Sequence, residues 1–312
     1  MSNEVIQLSS TQLKIVQSHY AKNQIERKAP GVIFAAKLAD TSITAYKSGK
    51  VLFQGGGATR EASKWGTAQE KAFKKTSSAK GDILPEGFAS KSVLGSDETG
   101  TGDFFGPMTV AACYVPKDKI ELIQFLGVKD SKMLTDDMMR KMAPDLKKSL
   151  LHSILVLGNE KYNTVQAKGW SQGKIKALLH NQALKHVLNK LSPEKPEYIL
   201  IDQFAERGIY YNHIKLEKEI IREDVLFSTK AEQLHVSVAA ASILARVAFL
   251  EEMDKLTIKT GFTIPKGAGP KVDEVAAKIL LSKGEDFLTS ITKKHFANTG
   301  KAMTLAQKKR SN

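Results

Sequence analysis

The sequence predicts an α/β protein in two parts: a mixed sheet flanked by helices, preceded by a small α+β module. Three observations predict it. Short apolar strand patterns, SVLGSDE (92–98), PMTVAACYV (107–115) and YILID (198–202), intermix with helical patterns such as residues 172–191. The 312 residues suit two domains better than one small one. A turn-rich stretch divides the chain: KKTSSAK (74–80) is followed by Gly81, Pro85 and Gly87, which sets a linker at about 76–90 between domains over 1–80 and 90–312.

In chain order, Ser9-Ser10 precede a helical pattern with Leu13, Val16 and Tyr20 on one side. GVIFAAKL (31–38), TSITAYK (41–47) and VLFQG (51–55) read as three strands, the last two joined by the hairpin signal Ser48-Gly49. Gly55-Gly56-Gly57 ends that meander, either as a plain loop or as a phosphate cradle, and 58–75 reads as a basic helix. After the linker come the strands of 92–98 and 107–115, a third at LHSILVLG (151–158), and a helix over 172–191 striped by Ile175, Leu178, Leu179, Leu184, Val187, Leu188 and Leu191. YILID follows, then the strand-like VLFST (225–229). A helix over 236–256 is apolar or small on nearly every side up to Leu250, which predicts burial.

Composition narrows the function. With 42% hydrophobic and 26% charged residues the chain can bury a core. It has no run near ~18 apolar residues and no secretory signal pattern, so a cytoplasmic protein is expected. The single cysteine, Cys113, excludes an internal disulfide framework and a Cys-rich zinc site, and it falls in a strand pattern that reads as core. No His pair has HxxxH spacing. The net charge is +14, which favours a polyanionic partner over a surface built only for solubility. Residues 1–85 hold 13 Lys and Arg against 6 Asp and Glu, so about a quarter of the chain carries half the excess.

Against that basic background, several acids stand at the ends of apolar strands. Asp97 and Glu98 follow Val93–Ser96 and precede Thr99-Gly100-Thr101-Gly102. Asp202 ends YILID, and Glu232 comes just before the buried helix. Each has an ordinary reading: a turn, a helix-dipole charge or a solvated side chain. Together they form a set of hard oxygen ligands suited to Mg2+ or Mn2+, and two such ions about 4 Å apart can clamp a phosphodiester. A glycosidase pair needs only two separated acids and leaves the positive charge unexplained. The glycines let backbone amides approach a ligand, but the segment lacks the Lys and spacing of a nucleotide P-loop.

At GSDETGTGDFFGPMTVAA (95–112) the sequence resembles the type 2 ribonuclease H family, whose members carry a DE-x-G-x-G segment. VKDSKMLT (128–135), YILIDQF (198–204) and KAEQLHVSVAAASILARV (230–247) agree with it in order. Thr101 within the glycine motif, Glu232 as fourth acid and the N-terminal extension make the chain most similar to the HIII group. The resemblance implies an RNase H-like five-stranded mixed sheet with flanking helices, behind a TATA-binding-protein-like domain that docks on substrate. It implies hydrolysis of the RNA strand of RNA/DNA hybrids to 5′-phosphate and 3′-hydroxyl ends. Asp97, Glu98, Asp202 and Glu232 would be the catalytic, metal-binding acids for Mg2+ or Mn2+, two ions per site. Thr99, Gly100, Thr101 and Gly102 would meet the RNA backbone, and Ser131 and Lys132 the substrate phosphates, although the latter two read equally well as a solvated turn. The chain is read as a monomer. The rivals are incision at single ribonucleotides embedded in DNA and a hybrid-binding protein without catalysis.

Other residues are weighed on their own. Ser242, in AAASILAR, reads as close helix packing rather than chemistry. His235, three residues after Glu232, reads as an ordinary partly buried histidine. Lys266, Lys271 and Gly267-Ala268-Gly269 suit a phosphate contact before a helix starting near Val272. Lys293, Lys294 and His295 read as part of a basic face or as solvated surface.

Overall fold

A computed structural model of the chain describes residues 3–26, 32–46, 49–65, 81–128 and 134–311. They fall in two compact units, one within Met1–Ser78 and the other within Ala79–Asn312.

The first unit is a four-stranded antiparallel sheet in the order β1-β4-β3-β2. Its strands are β1 (Asn3–Gln7), β2 (Val32–Lys37), β3 (Thr41–Tyr46) and β4 (Lys50–Gly55). Helix α1 (Ser10–His19) starts at a capping box, in which Ser9 and Gln12 satisfy each other's backbone amides. Strand alternation puts Ile6, Phe34, Ala36, Ile43, Ala45, Val51 and Phe53 on one face, where α1 and α2 (Ala58–Ser63) cover them. The other face carries Lys37, Ser42 and Gln54 in one cross-strand row and Val5, Leu52, Thr44 and Ala35 in the next. Two expectations change here. β1 adds a strand that the sequence reading lacks, and the basic helix expected over 58–75 ends at Ser63, with 66–75 outside the described residues.

The second unit is built on a five-stranded mixed sheet, β7-β6-β5-β8-β9. The strands are β5 (Val93–Thr99), β6 (Met108–Val115), β7 (Leu151–Leu157), β8 (Tyr198–Asp202) and β9 (Val225–Ser228). β5, β6 and β7 pair antiparallel, while β8 joins β5 in parallel and β9 joins β8 in parallel. Between and after them run α3 (Ile120–Phe125), α4 (Asp136–Ser149), α5 (Asn159–Ala167), α6 (Gln172–Leu191), α7 (Arg207–His213), α8 (Val236–Thr260), α9 (Pro270–Lys283), α10 (Glu285–Ser290) and α11 (Asn298–Ser311).

Both faces of the sheet are covered. Ala111, Cys113 and Val115 of β6 pack under α8 and α4, whereas Val110, Ala112 and Tyr114 pack under α6. This is why β6 is buried along its whole length and reads as an unbroken apolar run. α8 runs four residues beyond its expected end and stops at Gly261, whose φ of +78° suits glycine. α9 begins at Pro270, two residues before the expected start, because proline is favoured in a first helical turn.

Gly95 sets how closely α8 approaches. A Cβ there would lie 2.6 Å from the Ser237 carbonyl carbon, with the Val238 amide nitrogen nearer still. Glycine on the strand and the small residues Ser237, Ala239, Ala240 and Ala241 on the helix let the two backbones touch.

Candidate active site

β5 and β8 run parallel and in register as far as Ser96 beside Ile201, so their next residues, Asp97 and Asp202, emerge side by side at the carboxyl end of the sheet. In open α/β sheets this is the edge where ligands bind. A pocket of about 410 Å3 opens there, lined by Asp97, Glu98, Thr99, Gly100, Thr101, Gly102, Met139, Asp202, Ser242 and Arg246. Three of the four expected acids and the whole glycine segment therefore meet.

The electrostatics of the acids differ. Burial, then the charges of Glu98 and Asp202, push the Asp97 carboxyl up to about 8, against hydrogen bonds from Ser242 and from the Glu98 amide at 2.7 Å. Burial also pushes Glu98 up, but His180 and Lys176 outweigh it and hold the group below the usual range. Lys176 Nζ lies 2.8 Å from Glu98 Oε1, and His180 Nε2 lies 3.0 Å from Oε2. His180 is fully buried, and its Nδ1 meets Ser96 Oγ at 2.8 Å. Lys176 and His180 stand one turn apart on α6, so one helix face holds both oxygens of Glu98. Asp202 is raised by burial, with the Ala231 amide opposing at 2.9 Å and the charges of Glu232 and Glu98 adding to the rise.

Glu232 lies in a single 3-10 turn, Ala231–Gln233, and is not part of the pocket wall, although its charge reaches Asp202. Among the described residues no group of three or more His, Cys, Asp or Glu side chains is arranged to hold a metal ion, and both Glu98 oxygens are engaged by Lys176 and His180. The donor chemistry nevertheless fits a hard divalent cation. Asp97 and Asp202 are oxygen donors that repel each other, and a few carboxylates plus substrate phosphates are how Mg2+ is commonly bound.

The glycine segment is fixed from several sides. Gly100 has φ +92°, and a Cβ there would run into the Pro107 carbonyl and the Phe249 ring. The Thr101 carbonyl accepts from Gln172 Nε2 at 2.9 Å, while Thr101 Oγ1 is buried without a hydrogen-bond partner among the described residues. Beyond it, Lys293 Nζ is fully buried and donates to the carbonyls of Asp103 at 2.8 Å, Gly106 at 2.7 Å and Pro107 at 3.3 Å. Burial pushes this lysine down to about 7, yet three carbonyl acceptors match the three protons of an ammonium. The expectation of a basic surface at Lys293 is thus corrected: it locks the loop behind the motif.

One further expectation changes: Ser242 reads as packing in the sequence, but it lines the pocket and donates to Asp97. His235 is a buried structural histidine, as expected: it caps α8 by accepting from the Ser237 amide and meets the Lys91 carbonyl at 3.1 Å. Ser131 and Lys132 lie outside the described residues. Lys176, His180 and Arg246 went unread because their partners are remote in sequence: Glu98 is 78 and 82 positions from the first two, and Asp136 is 110 from Arg246.

The chain is similar to known proteins along its whole length. The family described as Ribonuclease HII matches residues 94–299, and a family described as Domain of unknown function (DUF3378) matches residues 3–78. A ribonuclease HIII of Lysinibacillus sphaericus (strain C3-41) is 66% identical over 304 residues, covering 97% of this chain and 99% of the relative. A ribonuclease HIII of Bacillus subtilis (strain 168) is 53% identical over 314 residues, covering 100% of both. Among solved structures, Bst-RNase HIII in complex with Mn2+ matches with a TM-score of 0.71 and 45% identity, covering 98% of this chain and 100% of that one.

Proposed function

The chain belongs to the ribonuclease HIII family, and from that premise we propose how its own residues act on an RNA/DNA hybrid. The protein is an endoribonuclease that cleaves the RNA of such hybrids, with a divalent metal ion. Asp97, Glu98, Asp202 and Glu232 are the catalytic acids and would hold Mg2+ or Mn2+, two ions per site. When bound, such ions generate a nucleophile from water and neutralise charge on the scissile phosphate.

The rest is work for the chain. Ser242 orients Asp97 through its hydrogen bond. Lys176 and His180 keep Glu98 ionised. Thr99, Gly100, Thr101 and Gly102 lie against the RNA backbone, where they can meet the 2′-hydroxyl that tells RNA from DNA. Ser131 and Lys132 contact substrate phosphates. Cleavage leaves 5′-phosphate and 3′-hydroxyl ends. The first unit docks on the hybrid through the sheet face that carries Lys37, Ser42 and Gln54.

One observation carries this reading: Asp97, Glu98 and Asp202 share a pocket with the Thr99–Gly102 segment. The test is cleavage of an end-labelled hybrid in Mg2+ and in Mn2+. Asp97→Asn is expected to abolish cleavage and retain binding, and a wild-type chain that leaves hybrids intact in both metals refutes the assignment. A duplex with one embedded ribonucleotide, run alongside, reports the rival specificity if it is cleaved in preference. Lys37→Glu is expected to weaken hybrid binding with kcat unchanged.

A further inference from the structure

The pocket is lined by three carboxylates, yet its natural ligand is itself an anion. Of the described residues in the pocket wall, Arg246 is the one cation. It lies on α8 one turn beyond Ser242, the residue bonded to Asp97, so it projects from the same helix face about 6 Å farther along. Its guanidinium is held bidentate by Asp136, Nε to Oδ1 at 2.9 Å and Nη2 to Oδ2 at 3.2 Å. Asp136 opens α4 and also receives Lys266 Nζ. The Lys266 loop is tied to the glycine segment's own loop, because the Gly267 carbonyl accepts from the Phe104 amide and the Gly267 amide donates to Asp103. One carboxylate thus gathers two cations from elements far apart in the chain, and one of them, Arg246, stands in the pocket wall with the acids.

We propose that Arg246, steadied by Asp136 and flanked by Lys266, binds a backbone phosphate of the RNA strand next to the scissile bond. This rests on the hybrid-nuclease reading given above. The chemistry is specific. A guanidinium has five N–H donors in a planar fork that suits phosphate as well as carboxylate, and Asp136 takes up only one edge of it. Holding a long side chain in place before the ligand arrives lowers the ordering cost of binding. Asp136 is the positioning residue and Arg246 the contact.

The experiment is fluorescence anisotropy of a labelled RNA/DNA hybrid with the full chain, in EDTA, over a series of salt concentrations. Loss of one phosphate contact lowers the slope of log affinity against log salt by about one. Arg246→Met is expected to do so, while Arg246→Lys keeps most of the slope and loses only part of the affinity. Asp136→Asn separates positioning from bulk charge: it makes the protein more positive, so simple attraction would tighten binding, whereas positioning loosens it several-fold. Thermal melts of each variant check folding. An unchanged slope in Arg246→Met, or tighter binding in Asp136→Asn, overturns the proposal. A wild-type chain that binds the hybrid but cannot cleave it in Mg2+ or Mn2+ ends the nuclease reading, and the slope comparison still decides the phosphate site. No binding at all sinks both.

Discussion

Gly95→Ala tests how the site is held. The added Cβ would meet Ser237 backbone and side-chain atoms at 2.6 Å. Carbon atoms rest about 3.5 Å or more apart, so β5 and α8 must separate by roughly 1 Å. The obstructing atoms are mostly backbone, which cannot swing aside as a side-chain tip can. Overpacking a core costs about 1–3 kcal/mol, and backbone contact puts this case near the top of that range. The expected loss is about 3 kcal/mol, or roughly 6–12 °C in melting temperature for a domain of this size. Activity should fall further than stability explains. Asp97 is two residues along the same strand, and a displacement of about 1 Å can cost about 100-fold in rate. Urea unfolding and initial-rate cleavage of a hybrid measure both. Gly102→Ala is the control, since a Cβ there meets nothing within 4 Å, and its stability should stay within about 0.5 kcal/mol of wild type. If Gly95→Ala is as stable as that control, the strand and helix are not in the contact described, and the account of how Asp97 is placed is wrong.

Three other outcomes follow from the same geometry. Lys176→Met breaks a nearly buried ion pair and leaves Glu98 to His180 alone, so it should cost about 3 kcal/mol and at least tenfold in cleavage rate; parallel denaturation and kinetics decide, and neither loss appearing would remove Lys176 from the machinery. Lys293→Met strips the donor from three buried carbonyls, with an expected loss of about 3 kcal/mol in urea unfolding, and a wild-type midpoint would contradict the lock on loop 103–107. His235 is lowered by burial from 6.5 to about 4, so the unfolded chain takes up a proton that the fold refuses; stability is full above pH 6.5 and declines as pH falls to about 4, by roughly 3 kcal/mol. Subtracting the stability–pH curve of His235→Gln isolates this share, and a flat difference would show that the ring titrates alike in both states.

Much of this architecture could be read directly. β6 and α8 are apolar on nearly all sides because both are buried between layers, and burial on two faces leaves a continuous apolar signal. β1 was invisible because NEVIQ is short and half polar, and its strand character comes from pairing with β4. The acids at strand ends were legible as a pattern that water alone does not explain. Their partners were not. Lys176 and His180 sit on an amphipathic helix where polar residues are ordinary, and only the fold brings them to Glu98. Ser242 satisfies two demands at once: small enough to pack, polar enough to bond Asp97. A small-residue run therefore hides such a serine.

The buried reach of Lys293 has a bearing on when the enzyme can exist during synthesis. Its ammonium meets the Asp103 carbonyl across 190 positions of sequence. At ordinary elongation rates of about 5–20 residues per second, roughly 10 to 40 s pass between the two leaving the peptidyl-transferase centre. Through that interval the turn after Gly102 lacks its ammonium donor, although Asp97 and Glu98 have long been made. A ribosome-tethered chain arrested before residue 290 is then expected to be inert toward hybrids.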